Sequence, residues 1–238
     1  MKKILRYGAL AFLIASFLGA SIVETNAQNV LNEILKRMDN YNNSIQSLQA
    51  EVTMTKHNPQ LNVTDTLIGA TSFLPSNKKQ KTRYMRLDWK TENGRAKQES
   101  ILVIGDDYEL YSGGTRNQVI FGKVNKAKNN NASAGGVLSF MSMSKEQLKA
   151  NYDVTYMGEE SVGAGIRTWH IQLTPKGRSD YKGAELWVDP NGMPRQAKVI
   201  ENNSDTTTVL LSGERKNETL DANVFKPNWP KNAKRVQG

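Results

Sequence analysis

The chain has 238 residues, with 32 Lys and Arg against 23 Asp and Glu, a formal net charge of +9 and no cysteine. Without cysteine there is no disulfide framework, no thiol nucleophile, no thiolate metal site and no lipid-modified cysteine, so stability must come from an ordinary apolar core. The basic balance suits anionic surfaces or an acidic partner, and nucleic acid is set aside because the N-terminus reads as an export signal.

Residues 1–27 open with Lys2, Lys3 and Arg6, continue with an apolar run from Leu10 to Leu18, and close on "TNA" before Gln28. That is the pattern of a secretory signal peptide, and the apolar run is short for a membrane span of ~20 residues. Cleavage is expected near Ala27, leaving residues 28–238 as one domain.

In "NVLNEILKRMDNYNNSIQSLQAEV" the apolar residues Leu31, Ile34, Leu35, Met38, Tyr41, Ile45 and Leu48 recur every three or four positions. This spacing predicts an amphipathic helix capped by Gln28 or Asn29, with "DNYNN" as its weak point. Beyond it the period falls to two. "KTRYMRLDWKT" puts Met85, Leu87 and Trp89 opposite Arg86, Asp88 and Lys90, and residues 99–125 form a second strand group. "IRTWHIQLTPK" sets Trp169, Ile171 and Leu173 against Thr168, His170, Gln172 and Thr174. "AELWVDPNGMPRQAKVIEN" is two strands joined at Asp189-Pro190-Asn191-Gly192, and "DTTTVLLSGERKNETL" adds another. Half-buried strands in succession predict a mainly β fold with helices: one large antiparallel sheet, curved or barrel-like. The tract from Lys126 to Asp153 interrupts it, polar at first and helical in composition from Val137 to Lys149.

Catalytic patterns are missing from this sequence. His57 and His170 have no partners at metal-ligand spacing. The S-x-x-K strings at Ser76–Lys79 and Ser142–Lys145 lack the accompanying S-D-N and K-T-G motifs. Adjacent carboxylates, Asp106 with Asp107 and Glu159 with Glu160, point to opposite faces of a strand. The expectation is a protein that is not an enzyme, with no cofactor and no metal.

The C-terminal third, "AELWVDPNGMPRQAKVIENNSDTTTVLLSGERKNETLDANVFKPNWPKNAKRV", resembles the outer-membrane lipoprotein carrier family, LolA. The resemblance rests on Asp189, Gly192 and Pro194 in a D-x-x-G-x-P strand end, and on the strand from Thr206 to Leu211. Asn217, Leu220, Asp221, Phe225 and Pro230 supply the family's closing pattern, and "GDDYELYSGGTRNQV" places Tyr108 and Tyr111 in its aromatic positions. The family implies a half-open, unclosed antiparallel β-barrel covered by an N-terminal helix and an inserted helical lid. It implies a periplasmic monomer that carries lipoprotein acyl chains from an inner-membrane ABC transporter to an outer-membrane receptor. That receptor is itself a lipoprotein, so a cysteine-free chain fits the soluble carrier.

On this reading Met85, Leu87, Trp89, Trp169, Ile171 and Leu173 line the lipid cavity. Val137, Leu138, Phe140, Met141, Met143 and Leu148 form the lid, hinged at Gly135 and Gly136, because Gly tolerates unusual backbone angles and Met packs adaptably. An acyl chain of about 16 carbons buried at roughly 0.8 kcal/mol per CH₂ contributes on the order of 10 kcal/mol, so transfer must pass between apolar surfaces. A core-capping helix that never moves is the alternative to a lid. The family's arginine before an early-strand proline, which holds its lid shut, has no counterpart at Leu74-Pro75; Lys78, Lys79 and Lys81 follow instead. Carriage of another lipid or a glycolipid, or a lipoprotein-sensing regulatory module, are the alternative functions.

Overall fold

The computed structural model describes residues 27–76, 81–124 and 134–238; the expected signal segment, apart from Ala27, lies outside them, as do Lys78 and Lys79. Helix α1 covers residues 27–44. The "DNYNN" stretch continues the helix instead of breaking it, because Met38 is fully buried on the core side and carries the turn with it. The helix is shorter than its apolar spacing predicts. The Ser44 hydroxyl donates back to the Tyr41 carbonyl, and the Asn217 side chain accepts the Gln46 N–H, so the chain leaves the helix before Ile45 and Leu48.

Leu48 instead opens the first strand. The order is β1 (Leu48–Asn58), β2 (Val63–Leu74), β3 (Tyr84–Glu92), β4 (Arg95–Ile104), β5 (Asp107–Ser112) and β6 (Gln118–Lys123), then helices α2 (Ala134–Met141) and α3 (Lys145–Asn151). β7 (Tyr152–Val162), β8 (Ile166–Pro175), β9 (Tyr181–Val188), β10 (Pro194–Glu201) and β11 (Thr206–Lys216) follow, then a 3-10 turn (Ala222–Phe225) and β12 (Lys234–Gln237). The twelve strands of the described residues form one sheet in the order β12-β6-β5-β4-β3-β2-β1-β11-β10-β9-β8-β7. The sheet is unclosed, with β12 and β7 at its edges. Every neighbouring pair is antiparallel except β12 with β6. The mainly β, half-open architecture expected from the sequence is the one observed.

Alternation gives the sheet an apolar inner face. Val52, Met54, Leu67, Leu87, Trp89, Ile171, Leu173, Leu186, Val188, Ala197, Val199 and Val209 are buried on it together with α1, α2 and α3 in one cluster. Gly69 lets Trp89 lie across β2, since a Cβ there would sit 2.9 Å from the indole and 2.4 Å from the Asp88 carbonyl.

The outer face of β3–β6 is covered by the chain from 217 to 233. The Arg86 guanidinium donates to the carbonyls of Val224 and Lys226 and to Asn228, and lies 5.3 Å over the Trp229 ring. Trp229 stacks on Tyr111 and donates its indole N–H to Glu109. Leu102 and Val119 are buried beneath this strap.

Candidate binding face and its helical cover

The single helix expected from Val137 to Lys149 is two short helices. α2 packs on β10 and β11, α3 lies beside β7, and residues Ser142–Ser144 turn between them. The turn has a local cause: Ser144 accepts the Gln147 N–H while Gln147 accepts the Ser144 N–H, a capping box that starts a new helix. Gly135 and Gly136, expected as a hinge before the helix, lie in the first turn of α2.

The residues expected to form the lid turn inward. Val137, Phe140, Met141 and Leu148 are buried, and Leu138 and Met143 pack partly buried against the same cluster. Phe140 fits an aromatic cup: its ring is 5.7 Å from Tyr181, edge-on, and 6.0 Å from Tyr152. The two tyrosine hydroxyls meet at 2.6 Å, and burial, then that hydrogen bond, pushes the Tyr152 phenol above its ordinary pKa.

Of the expected cavity residues, Leu87, Trp89, Ile171 and Leu173 join Phe140 and Leu148 in the cluster, and Trp169 packs against it with the Arg37 guanidinium 5.3 Å above its ring. Met85 is half-buried, on the same inner face but outside the buried cluster. In register, Met85 lies beside Val103 and Tyr108, and Leu87 beside Ile101, Leu110 and Ile120. These residues of β3–β6, Leu87 apart, form a half-buried apolar row on the inner face, while the inner face of β8–β11 is fully closed by helices. A contiguous apolar row left partly accessible is the type of surface that takes an apolar partner.

Polar contacts tie the cover together, and none was foreseen from the sequence. Asp39 of α1 accepts the backbone N–H of Lys145 at 2.8 Å, Asn42 donates to the Met143 carbonyl at 3.4 Å, and Lys149 donates to Asn32 at 2.9 Å. α1 is held in turn by the β9–β10 hairpin. Arg37 donates Nη1 to the Pro190 carbonyl at 2.7 Å, and Gly192, at φ +87°, faces the Arg37 carbonyl so closely that a Cβ would come within 2.2 Å of it. The hairpin is braced by Asp189, which accepts from the N–H groups of Asn191 and Met193 and from Arg195 Nε.

Arg195 also pairs with Glu214 at 2.5 Å. Burial opposes its charge, but Glu214 and Asp189 outweigh that and raise its pKa, while the hydrogen bond from Arg195 holds the Glu214 carboxyl below the usual range. The Tyr41 ring of α1 lies by this ionic cluster, and burial pushes its phenol up to about 12. The hairpin motif was legible in the sequence; its role as the footing of α1 was not, because the partner lies far back in the chain.

His170 is on the outer face as its alternation implies, yet its side chain is only 18% exposed. It stacks 4.4 Å from Trp187, with Glu185 at 3.2 Å and Glu160 at 3.4 Å, and Trp187 donates to Glu160 at 2.7 Å. This cluster pins edge strand β7 to β8 and β9. Among the described residues no group of three or more His, Asp or Glu side chains is placed to hold a metal ion.

Residues 113–228 match the family model described as outer membrane lipoprotein carrier protein LolA. No curated protein sequence matches the chain. Among solved structures, MucB shares the fold at a TM-score of 0.52 and 14% identity, over 86% of this chain and 63% of MucB, so the chain spans under two thirds of that protein. A DUF1329 family protein from Desulfovibrio piger aligns at 17% identity and a TM-score of 0.49, over 82% of this chain and 95% of that one. A LolA superfamily protein from Nitrosomonas europaea aligns at 14% identity and 0.44, over 84% and 98%.

Proposed function

From the match of residues 113–228 to the LolA family model we propose that the chain is a non-catalytic carrier of lipoprotein acyl chains. It is exported, loses its signal near Ala27, and works as a monomer in the periplasm. It receives cargo from an inner-membrane ABC transporter and passes it to an outer-membrane receptor. The observation that carries the reading is the half-buried apolar row of β3–β6 on an inner face whose other part is covered by two short helices bearing Val137, Phe140, Met141 and Leu148. An acyl chain entering there extends the existing core. The cover shields the inner face when no chain is bound, and its short helices with adaptable side chains can repack around cargo.

No bond is made or broken in such a transfer. Met85, Leu87, Trp89, Trp169, Ile171 and Leu173 line the cavity in the loaded state; Val137, Leu138, Phe140, Met141, Met143 and Leu148 line the lid, with Gly135 and Gly136 as its hinge. Ile171 and Leu173 become accessible only if α1 and α3 shift, so the β3 side is the first contact.

Incubation with lipid-modified and unmodified forms of one lipoprotein, followed by gel filtration, tests the reading. Only the modified form should co-elute; equal co-elution of both ends the acyl-binding claim. Lipids that co-purify separate lipoprotein cargo, seen as acylated peptides, from another lipid or glycolipid.

A further inference from the structure

The inner face changes character at one end of the strands. Met54, Leu67 and Val209 are buried and apolar; two residues further along each strand stand Lys56, Asp65 and the buried Thr207, side by side in register. These three, with His57, Asn58, Val63, Glu201, Asp205 and Thr206, line a cavity of about 260 Å³. The apolar interior therefore ends in a mouth that carries both signs of charge.

Two groups at this mouth are unused. Lys56 is exposed and forms no ion pair among the described residues. Asp205 accepts from Asn203 through Oδ2, but its Oδ1 is buried with no hydrogen-bond partner. A buried carboxylate oxygen without a donor is costly, which makes it the natural seat for a donor from outside. Other groups are partly engaged: Asp65 accepts from Asn93 at 2.7 Å, and His57 shares Nδ1 with the Thr64 hydroxyl at 3.0 Å. Three carboxylates outnumber the lysine, so a purely anionic guest is repelled and a guest must bring its own cation.

We propose that this mouth is a headgroup site for a zwitterionic amphiphile of the phosphoethanolamine type. The ammonium donates to Asp205 Oδ1 with Glu201 and Asp65 nearby, the phosphate faces Lys56, and the acyl chains run inward past β2 toward the half-buried row of β3–β6. The inference rests on the acyl-carrier reading and adds to it a preference for the polar end of the guest.

Calorimetry on the purified protein tests it, using dihexanoyl-phosphatidylethanolamine, dihexanoyl-phosphatidylglycerol and O-phosphoethanolamine below any micelle concentration, with a dipalmitoylated peptide as a separate probe. The ethanolamine lipid should bind about tenfold tighter than the glycerol lipid; Asp205→Asn should bring that ratio close to one, whereas Lys56→Glu should weaken both lipids without lowering the ratio. Equal binding of the two lipids, a ratio that survives Asp205→Asn, or unchanged affinity for both lipids in Lys56→Glu overturns the site. So does O-phosphoethanolamine binding as tightly as the lipid, which marks a site for a free solute. If the peptide binds and the two lipids are not distinguished, only this inference fails; if the peptide does not bind either, the carrier reading fails with it. Both substitutions keep the fold testable, because Lys56 is exposed and the amide oxygen introduced by Asp205→Asn can still accept from Asn203.

Discussion

Asp39 offers the cleanest test of whether the cover moves. Its carboxylate accepts the Lys145 N–H at the first turn of α3, where helix N–H groups have no partner of their own. Asp39→Ala removes a charge-assisted hydrogen bond and a favourable charge at a helix start. The site is partly exposed and water can resolvate the donor, so the loss is about 1–2 kcal/mol. The Asn42 and Lys149 contacts remain, so α3 stays docked on average. If acyl chains bind only when the cover is displaced, apparent affinity scales with the open fraction, and weakening the closed form by this amount raises affinity about five- to thirtyfold. Titration with a fluorescent fatty-acid analogue measures this, and hydrogen exchange at α3 amides reports the opening directly. Unchanged affinity, with α3 amides exchanging in step with those of β9 and β10, would refute the argument and make the cover a fixed part of the core.

Gly192→Ala should lower stability in chemical denaturation by more than about 1–3 kcal/mol, because it adds a clash with the Arg37 carbonyl to an unfavourable φ. Arg195→Ala strands Asp189 and Glu214 and should cost about 3–5 kcal/mol, whereas Arg195→Met, which fills the volume, leaves the same carboxylates unpaired and helps only through packing. The Glu214 pKa is lowered on folding, so its stabilising effect is full above the unfolded value of 4.5 and is lost as pH falls through the folded value; denaturation midpoints followed down in pH should show this acid loss, and Arg195→Met should flatten it. Tyr41 is shifted the other way, so its contribution holds below pH 10.0 and disappears as pH rises toward about 12, readable as late phenolate absorbance. Arg86→Ala should release the strap and open the 222–230 region to limited proteolysis, at a cost of about 1.5–3 kcal/mol.

The elements with the strongest periodicity were legible in the sequence. β3, β8 and the β9–β10 hairpin carry clean two-residue alternation or a strong turn, and their inward residues are those found inside. β7 was not read, although Tyr152, Val154 and Tyr156 alternate; the register shift after Tyr156 breaks the period, and acidic residues fill its second half. β12 has four residues and one half-buried side chain, too little for a pattern. The helical cover was legible as an apolar insertion because it contrasts with the polar tract before it. Its fastening was not, since Asp39, Asn42 and Arg37 are ordinary polar positions on a helix and gain meaning only from backbone groups more than a hundred residues away. The missing arginine before Pro75 pointed to the right question, and α1 supplies polar contacts to the cover from another direction.

The pairing of β1 with β11, Leu48 opposite Lys216, has a kinetic consequence. Strands β1 to β6 can zip as successive hairpins while the rest of the chain is still being delivered. The centre of the sheet cannot close until nearly the last strand is present, and α1 has no footing before the β9–β10 hairpin exists. Such distant contacts make folding slow, because loop closure precedes any reward. A chain threaded through a membrane pore from its N-terminus would thus remain pliable during passage and lock only after its C-terminal part emerged.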